Sequence, residues 1–136
     1  MNTNDVWQRR ALLNPAPNPD KLVDYVVTLS GMIAAPDGMG DLSVSVRYVP
    51  DRLIIPSEAF AAYIKAIEMA GTDTQESLAT TVLADISNEI VAKWLQVTTR
   101  AENRDAGTVS PSHQVMAEDR QPGWDNPGLL AMLPRE

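Results

Sequence analysis

The stretch that constrains this chain most is 41–49, DLSVSVRYV, where Leu42, Val44, Val46 and Tyr48 alternate with polar or charged neighbours. A period of two puts those four side chains on one face of a pleated strand. Such a strand needs pairing partners at its edges and a layer over its apolar face, so the rest of the chain must supply both. Residues 22–29 (LVDYVVTL) are rich in β-branched and aromatic side chains and read as the strand before it, with 31–40 (GMIAAPDGMG) as the connecting loop. The covering layer reads from 56 to 92. Pro56, Ser57 and Glu58 suit a helix start, and Phe60, Tyr63, Ile64 and Ile67 follow at helical spacing up to Gly71, a natural stop. Thr72 or Thr74 can cap a second helix whose stripe is Leu78, Val82, Leu83, Ile86 and Ile90. Residues 94–99 (WLQVTT) read as a third strand, with Trp94, Gln96 and Thr98 opposite Leu95 and Val97. A fourth is expected over 108–117, interrupted by Pro111.

The order β-β-α-α-β-β predicts an α+β fold with a four-stranded antiparallel sheet and two helices on one face. The length of 136 residues suits one domain. It divides into an Asn/Pro-rich arm at 1–21, expected to be extended, a domain at 22–117 and a Pro/Gly-rich tail at 118–136. The tail carries Leu129, Leu130, Met132 and Leu133, which fits an arm docked on its own domain or a neighbour, or else a partly disordered end. Open sheet edges make pairing between subunits, and so a homo-oligomer, the expectation.

Composition narrows the chemistry. Lys plus Arg is 11 and Asp plus Glu is 18, so the formal net charge is −7, which argues against nucleic acid as a partner. There is no cysteine, which excludes disulfides, thiolate metal ligands and a thiol nucleophile together. The one histidine, His113, cannot build a usual zinc site alone, so no metal is expected. No apolar run approaches the roughly 20 residues that cross a bilayer, and the polar first ten residues lack a signal-peptide core. A cytoplasmic protein without a membrane partner is the expectation.

The local sequences resemble the nitrile reductases of queuosine biosynthesis, the QueF family. Leu13-Asn14-Pro15 ahead of Asp24-Tyr25 is similar to that family's approach to its first strand. Val46-Arg47-Tyr48-Val49-Pro50-Asp51-Arg52-Leu53 resembles its second strand and exit. Ser57 and Tyr63 keep the spacing of its Ser-Leu-Lys-Leu-Tyr helix, Gly71 lies where its Arg-Asn-His-Gly segment ends, and Trp94-Leu95-Gln96-Val97-Thr98 matches its third strand. The likeness covers about 13–104 and implies the tunnelling fold, in which ββααββ units assemble and bind heterocycles between subunits.

Carried over residue by residue, the resemblance implies a changed site. The family's Cys-Pro-x-Thr-Gly-Gln-Pro-Asp segment aligns on 34–41: Gly38 and Asp41 are kept, but the nucleophilic cysteine is Ala34, and a methyl group cannot attack a nitrile. Asp41 remains as a candidate acid or base. The Glu that holds the deazapurine edge in the family becomes Gln75, followed by Glu76; both are ligand-binding candidates, with Asn14 and Ser57 beside them. Gln offers a donor and an acceptor where Glu offers acceptors only. The cofactor-binding cations become Glu58 and Glu68, which should repel NADPH, leaving Arg104 as a phosphate ligand; no cofactor is expected. His113 is a further catalytic candidate. The bland reading stands beside each: Asp41 as a solvated residue at a strand start, Gln75 and Glu76 as first-turn residues serving backbone donors, and His113 as a packing residue.

Three function classes follow. The first is a heterocycle-binding protein or non-thiol enzyme acting on a purine- or pterin-like molecule at subunit interfaces. The second is a non-catalytic structural or regulatory subunit that forms rings. The third, nitrile reduction by another route, has nothing to replace the covalent step.

Overall fold

The computed structural model describes residues 6–34, 40–70, 73–101 and 113–134. Its elements in chain order are α1 (Val6–Ala11), β1 (Ala16–Pro17), β2 (Val27–Ala34), β3 (Asp41–Val49), β4 (Leu53–Ile54), α2 (Ser57–Ala70), α3 (Gln75–Ile90), β5 (Trp94–Ala101), β6 (Gln114–Arg120) and α4 (Pro127–Ala131). Strands β2, β3, β5 and β6 form one antiparallel sheet in the order β2-β3-β5-β6, and β1 pairs with β4 as a separate short ribbon.

The alternation in β3 is the reason for the layering. Leu42, Val44, Val46 and Tyr48 are all fully buried and face the helices. Cross-strand register aligns them with Leu95, Val97, Thr99 and Ala101 of β5 and with Val27, Leu29, Gly31 and Ile33 of β2. Helix α2 covers β2 and α3 covers β5 and β6. The stripes read from the sequence form the facing layer: Phe60, Tyr63, Ile64 and Ile67 from α2, and Leu78, Val82, Ile86 and Ile90 from α3 are buried, with Leu83 half-buried. Each buried Val, Leu, Ile or Phe contributes about 1.5–3 kcal/mol over leaving it in water. Thr74 caps α3, its Oγ1 accepting from the Ser77 amide at 3.0 Å.

Three stretches differ from the expectation. The first strand runs over Val27–Ala34, not 22–29. Strand-favouring residues occupy both ranges, and pairing decides between them: Val27 opposes Tyr48 and Ala34 opposes Asp41, so Ile33 joins the core while Leu22 stays exposed. The fourth strand runs over Gln114–Arg120 rather than 108–117, because register with β5 places Gln114 opposite Arg100 and Arg120 opposite Trp94; 108–112 lie outside the described residues. The N-terminal stretch is not simply extended, since Val6–Ala11 is helical. A six-residue helix is unstable alone. Its stability comes from Arg9 and Arg10, whose guanidinium groups donate to the buried Asp85 carboxylate at 2.7 and 2.8 Å.

The C-terminal segment docks on its own domain, over the sheet face away from the helices. Trp124 Nε1 and Asn126 Nδ2 donate to the Asp24 carboxylate at 3.2 Å each, Gln121 Nε2 donates to Asp51 Oδ2 at 2.9 Å, and Arg47 Nη1 donates to the Pro134 carbonyl at 2.7 Å. Asn126 also caps α4 by accepting from the Leu129 amide. No helix among the described residues is long and apolar enough to cross a membrane.

Candidate functional site

The residues singled out by sequence fall into two groups. Ala34, Asp41, Gln75, Glu76 and His113 share one end of the sheet. Ala34 closes β2 and Asp41 opens β3, and they are direct partners in the antiparallel register. The backbone reaches Asp41 through Gly40 at φ 101°, a conformation that glycine adopts without a Cβ penalty. Moving across the sheet, Thr99 of β5 lies under the first turn of α3, and His113 stands just ahead of β6. Asn14 and Ser57 sit at the opposite end. Asn14 ends the turn after α1 at φ 41°, which asparagine tolerates, and its amide donates to the Ala11 carbonyl. Ser57 begins α2, exposed, its hydroxyl 3.4 Å from Glu58 Oε2. Arg104 and Gly38 lie outside the described residues.

The contacts at the first end are specific. The Ala34 amide donates to Glu68 Oε2 at 2.7 Å, so the last turn of α2 sets a carboxylate against the backbone where the family's nucleophile would stand. Gln75 is the first residue of α3 and only 9% exposed; its Oε1 accepts from the Thr99 hydroxyl at 3.2 Å. Glu76, one residue on, points outward and accepts from His113 Nε2 at 2.7 Å, with both side chains more than half exposed. Asp41 is exposed at the same end of the sheet, opposite Ala34. The end therefore holds the Asp41, Glu68 and Glu76 carboxylates, one imidazole and one buried amide. Chemically, that set can accept protons, orient a ring bearing hydrogen-bonding groups and disfavour an anionic ligand.

Sequence reasoning did not assign Glu68 its place on the Ala34 amide. Nothing in the helical stripe distinguishes it from the other exposed positions of α2. A second feature also escaped it. Under the docked C-terminal segment is a cleft of about 410 Å³ lined by Arg47, Trp94, Gln96, Met116, Leu130 and Leu133, among others. It lies on the sheet face away from the helices, near the Trp94–Arg120 end, far from Ala34 and Asp41 along the strands. Arg47 is buried there, its Nε donating to Gln96 Oε1 at 2.9 Å, while Gln96 Nε2 contacts the Met116 sulfur at 3.2 Å. The alternation of Trp94, Gln96 and Thr98 against Leu95 and Val97 was the available signal, but only the fold shows what covers that face.

Among the described residues, no group of three or more His, Asp or Glu side chains is arranged to hold a metal ion.

A four-stranded antiparallel sheet with α2 and α3 on one face, in ββααββ order, defines an α+β protein of the tunnelling-fold class. The crystal structure of the archaeosine synthase QueF-Like in the apo form is similar to this chain, with a TM-score of 0.50 over 74% of this chain and 95% of that one, at 18% sequence identity. That likeness shows a shared QueF-like fold. No family's sequence profile matches the chain, and no curated protein matches it.

Proposed function

We propose that this chain is a QueF-like tunnelling-fold protein that binds a purine- or pterin-like heterocycle at the Ala34–Asp41–Gln75 end of the sheet and has lost thiol-based, NADPH-dependent nitrile reduction. The observation that carries the reading is the gathering of Ala34, Asp41, Gln75, Glu76 and His113 at that one end, in a fold shared with an archaeosine synthase. In this reading Gln75 anchors the ring, Glu76 and His113 flank it, and Asp41 holds or moves a proton. A neighbouring subunit paired at an open sheet edge closes the site. Loss of reduction rests on chemistry: with no cysteine in the chain there is no thioimide, and Glu58 and Glu68 replace the family's cofactor-binding cations.

The test is a melting-temperature titration with deazaguanine nitrile, guanine and pterin. A ligand at 100 times its Kd adds about 2.7 kcal/mol of stability, and no shift with any of them overturns the binding reading. NADPH oxidation in the presence of the nitrile would overturn the claim that reduction is lost.

A second reading, a non-catalytic ring-forming subunit, is favoured by the outer edges of β2 and β6, which have no strand partner among the described residues, and by the same lost cations. It requires an oligomer without heterocycle affinity.

A further inference from the structure

Gln75 is not a simple substitute for an anchoring glutamate, because the fold has already used one end of its amide. Thr99 is fully buried on the helix side of β5, and its hydroxyl donates to Gln75 Oε1 at 3.2 Å. A buried hydroxyl hydrogen left without an acceptor is costly, and most buried hydroxyls have one. Reversing the amide would set Nε2 against the hydroxyl and leave the Thr99 hydrogen with no acceptor among the described residues. The orientation with Oε1 inward is therefore the one the buried hydroxyl selects. Nε2, with two N–H donors, has no partner among the described residues, on a side chain that is nine-tenths buried at the first turn of α3.

From this we infer that the ligand presents a ring carbonyl to Gln75 and belongs to the oxo-substituted heterocycles, with Thr99 as the positioning residue that fixes this preference. The inference rests on the reading that the Gln75 end is the ligand site. A glutamate at this position would offer acceptors only and would match an amino or ring N–H edge. An amide locked with its oxygen inward offers donors only and matches the reverse pattern. A buried donor facing an amino group leaves both N–H groups unsatisfied, which is the mismatch that polar sites reject most strongly.

Two pairs of compounds of nearly equal shape test this: lumazine against 2,4-diaminopteridine, and xanthine against 2,6-diaminopurine, each titrated by calorimetry into the full chain. The dioxo member of each pair is expected to bind at least about tenfold more tightly. In Thr99→Val the amide is free to turn over, so the two members of each pair should converge in affinity. In Gln75→Glu the order should reverse. Urea midpoints of both variants establish that they are folded, and the wild-type comparison stands without them. Equal or tighter binding of the diamino compounds to the wild type overturns the inference while leaving the site reading intact. An unchanged preference in Thr99→Val overturns the role of Thr99. Binding of none of the four compounds, nor of guanine or pterin, overturns the site reading and the inference with it.

Discussion

The most demanding residue in this chain is Asp85, buried within α3 and 1% exposed. Burial pushes its carboxyl up, but hydrogen bonds from Arg9, Tyr63 and Arg10 outweigh that and hold it below the usual carboxylate range. The Tyr63 hydroxyl, 2.6 Å away, is pushed well above the ordinary phenol value by burial and by the adjacent carboxylate, so it remains a donor. Removing one member of a buried charged set leaves the others uncompensated, so Asp85→Ala should cost about 3–5 kcal/mol in urea unfolding. Tyr63→Phe removes one of several bonds to the carboxylate and should cost about 1.5 kcal/mol. The pH dependence follows from the depressed carboxyl. Its contribution is complete above the unfolded pKa of about 3.9 and is lost as pH falls through the lower folded value. Melting temperature measured from pH 7 to pH 2 should fall at the acid end, and Asp85→Asn should show a shallower fall.

At the scale of elements, two joints are open to test. Helix α3 ends at Val91 with φ 46° and ψ 56°, its amide donating to the Ser87 carbonyl. This left-handed geometry costs a β-branched residue about 1–2 kcal/mol and costs glycine little. Val91 is largely exposed, so Val91→Gly loses little packing. It should raise the melting temperature by roughly 3–5 °C for about 1 kcal/mol gained; Val91→Ala, which keeps the Cβ, should not. The C-terminal segment hangs on Asp24, which accepts from Lys93, Trp124 and Asn126 and whose carboxyl is held below its ordinary range, chiefly by the Lys93 hydrogen bond. Asp24→Ala should release the segment, seen as a red shift of Trp124 emission in a variant whose other two tryptophans are replaced by phenylalanine. Because the folded carboxyl is depressed, acidification of the parent should produce that shift only as pH falls through the folded value, below the usual carboxylate range.

For the whole molecule, the β2 and β6 edges have no strand partner among the described residues beyond the four-stranded sheet, so pairing between copies is the expected state. Light scattering at micromolar concentration should report an oligomer; a monomer would count against both a shared site and a ring-forming subunit. Much of this architecture was legible in the chain. The alternation of β3 and the stripes of α2 and α3 are local patterns written by burial on one face, so the chain by itself showed the layers and the core. The missing thiol was legible there too, and no fold can supply one. What needed the tertiary structure were the properties set by pairing. Strands β2 and β6 took their positions from register with β3 and β5, because strand-favouring residues extend beyond both. Helix α1 is tied down by Asp85, distant in sequence, which gives Arg9 and Arg10 a buried anion. The candidate site divides the same way. The family resemblance marked Asp41, Gln75 and Glu76, and residue type marked His113, but only packing put Glu68 on the Ala34 amide, joined His113 to Glu76, and turned the Gln75 oxygen inward against a hydroxyl that water cannot reach.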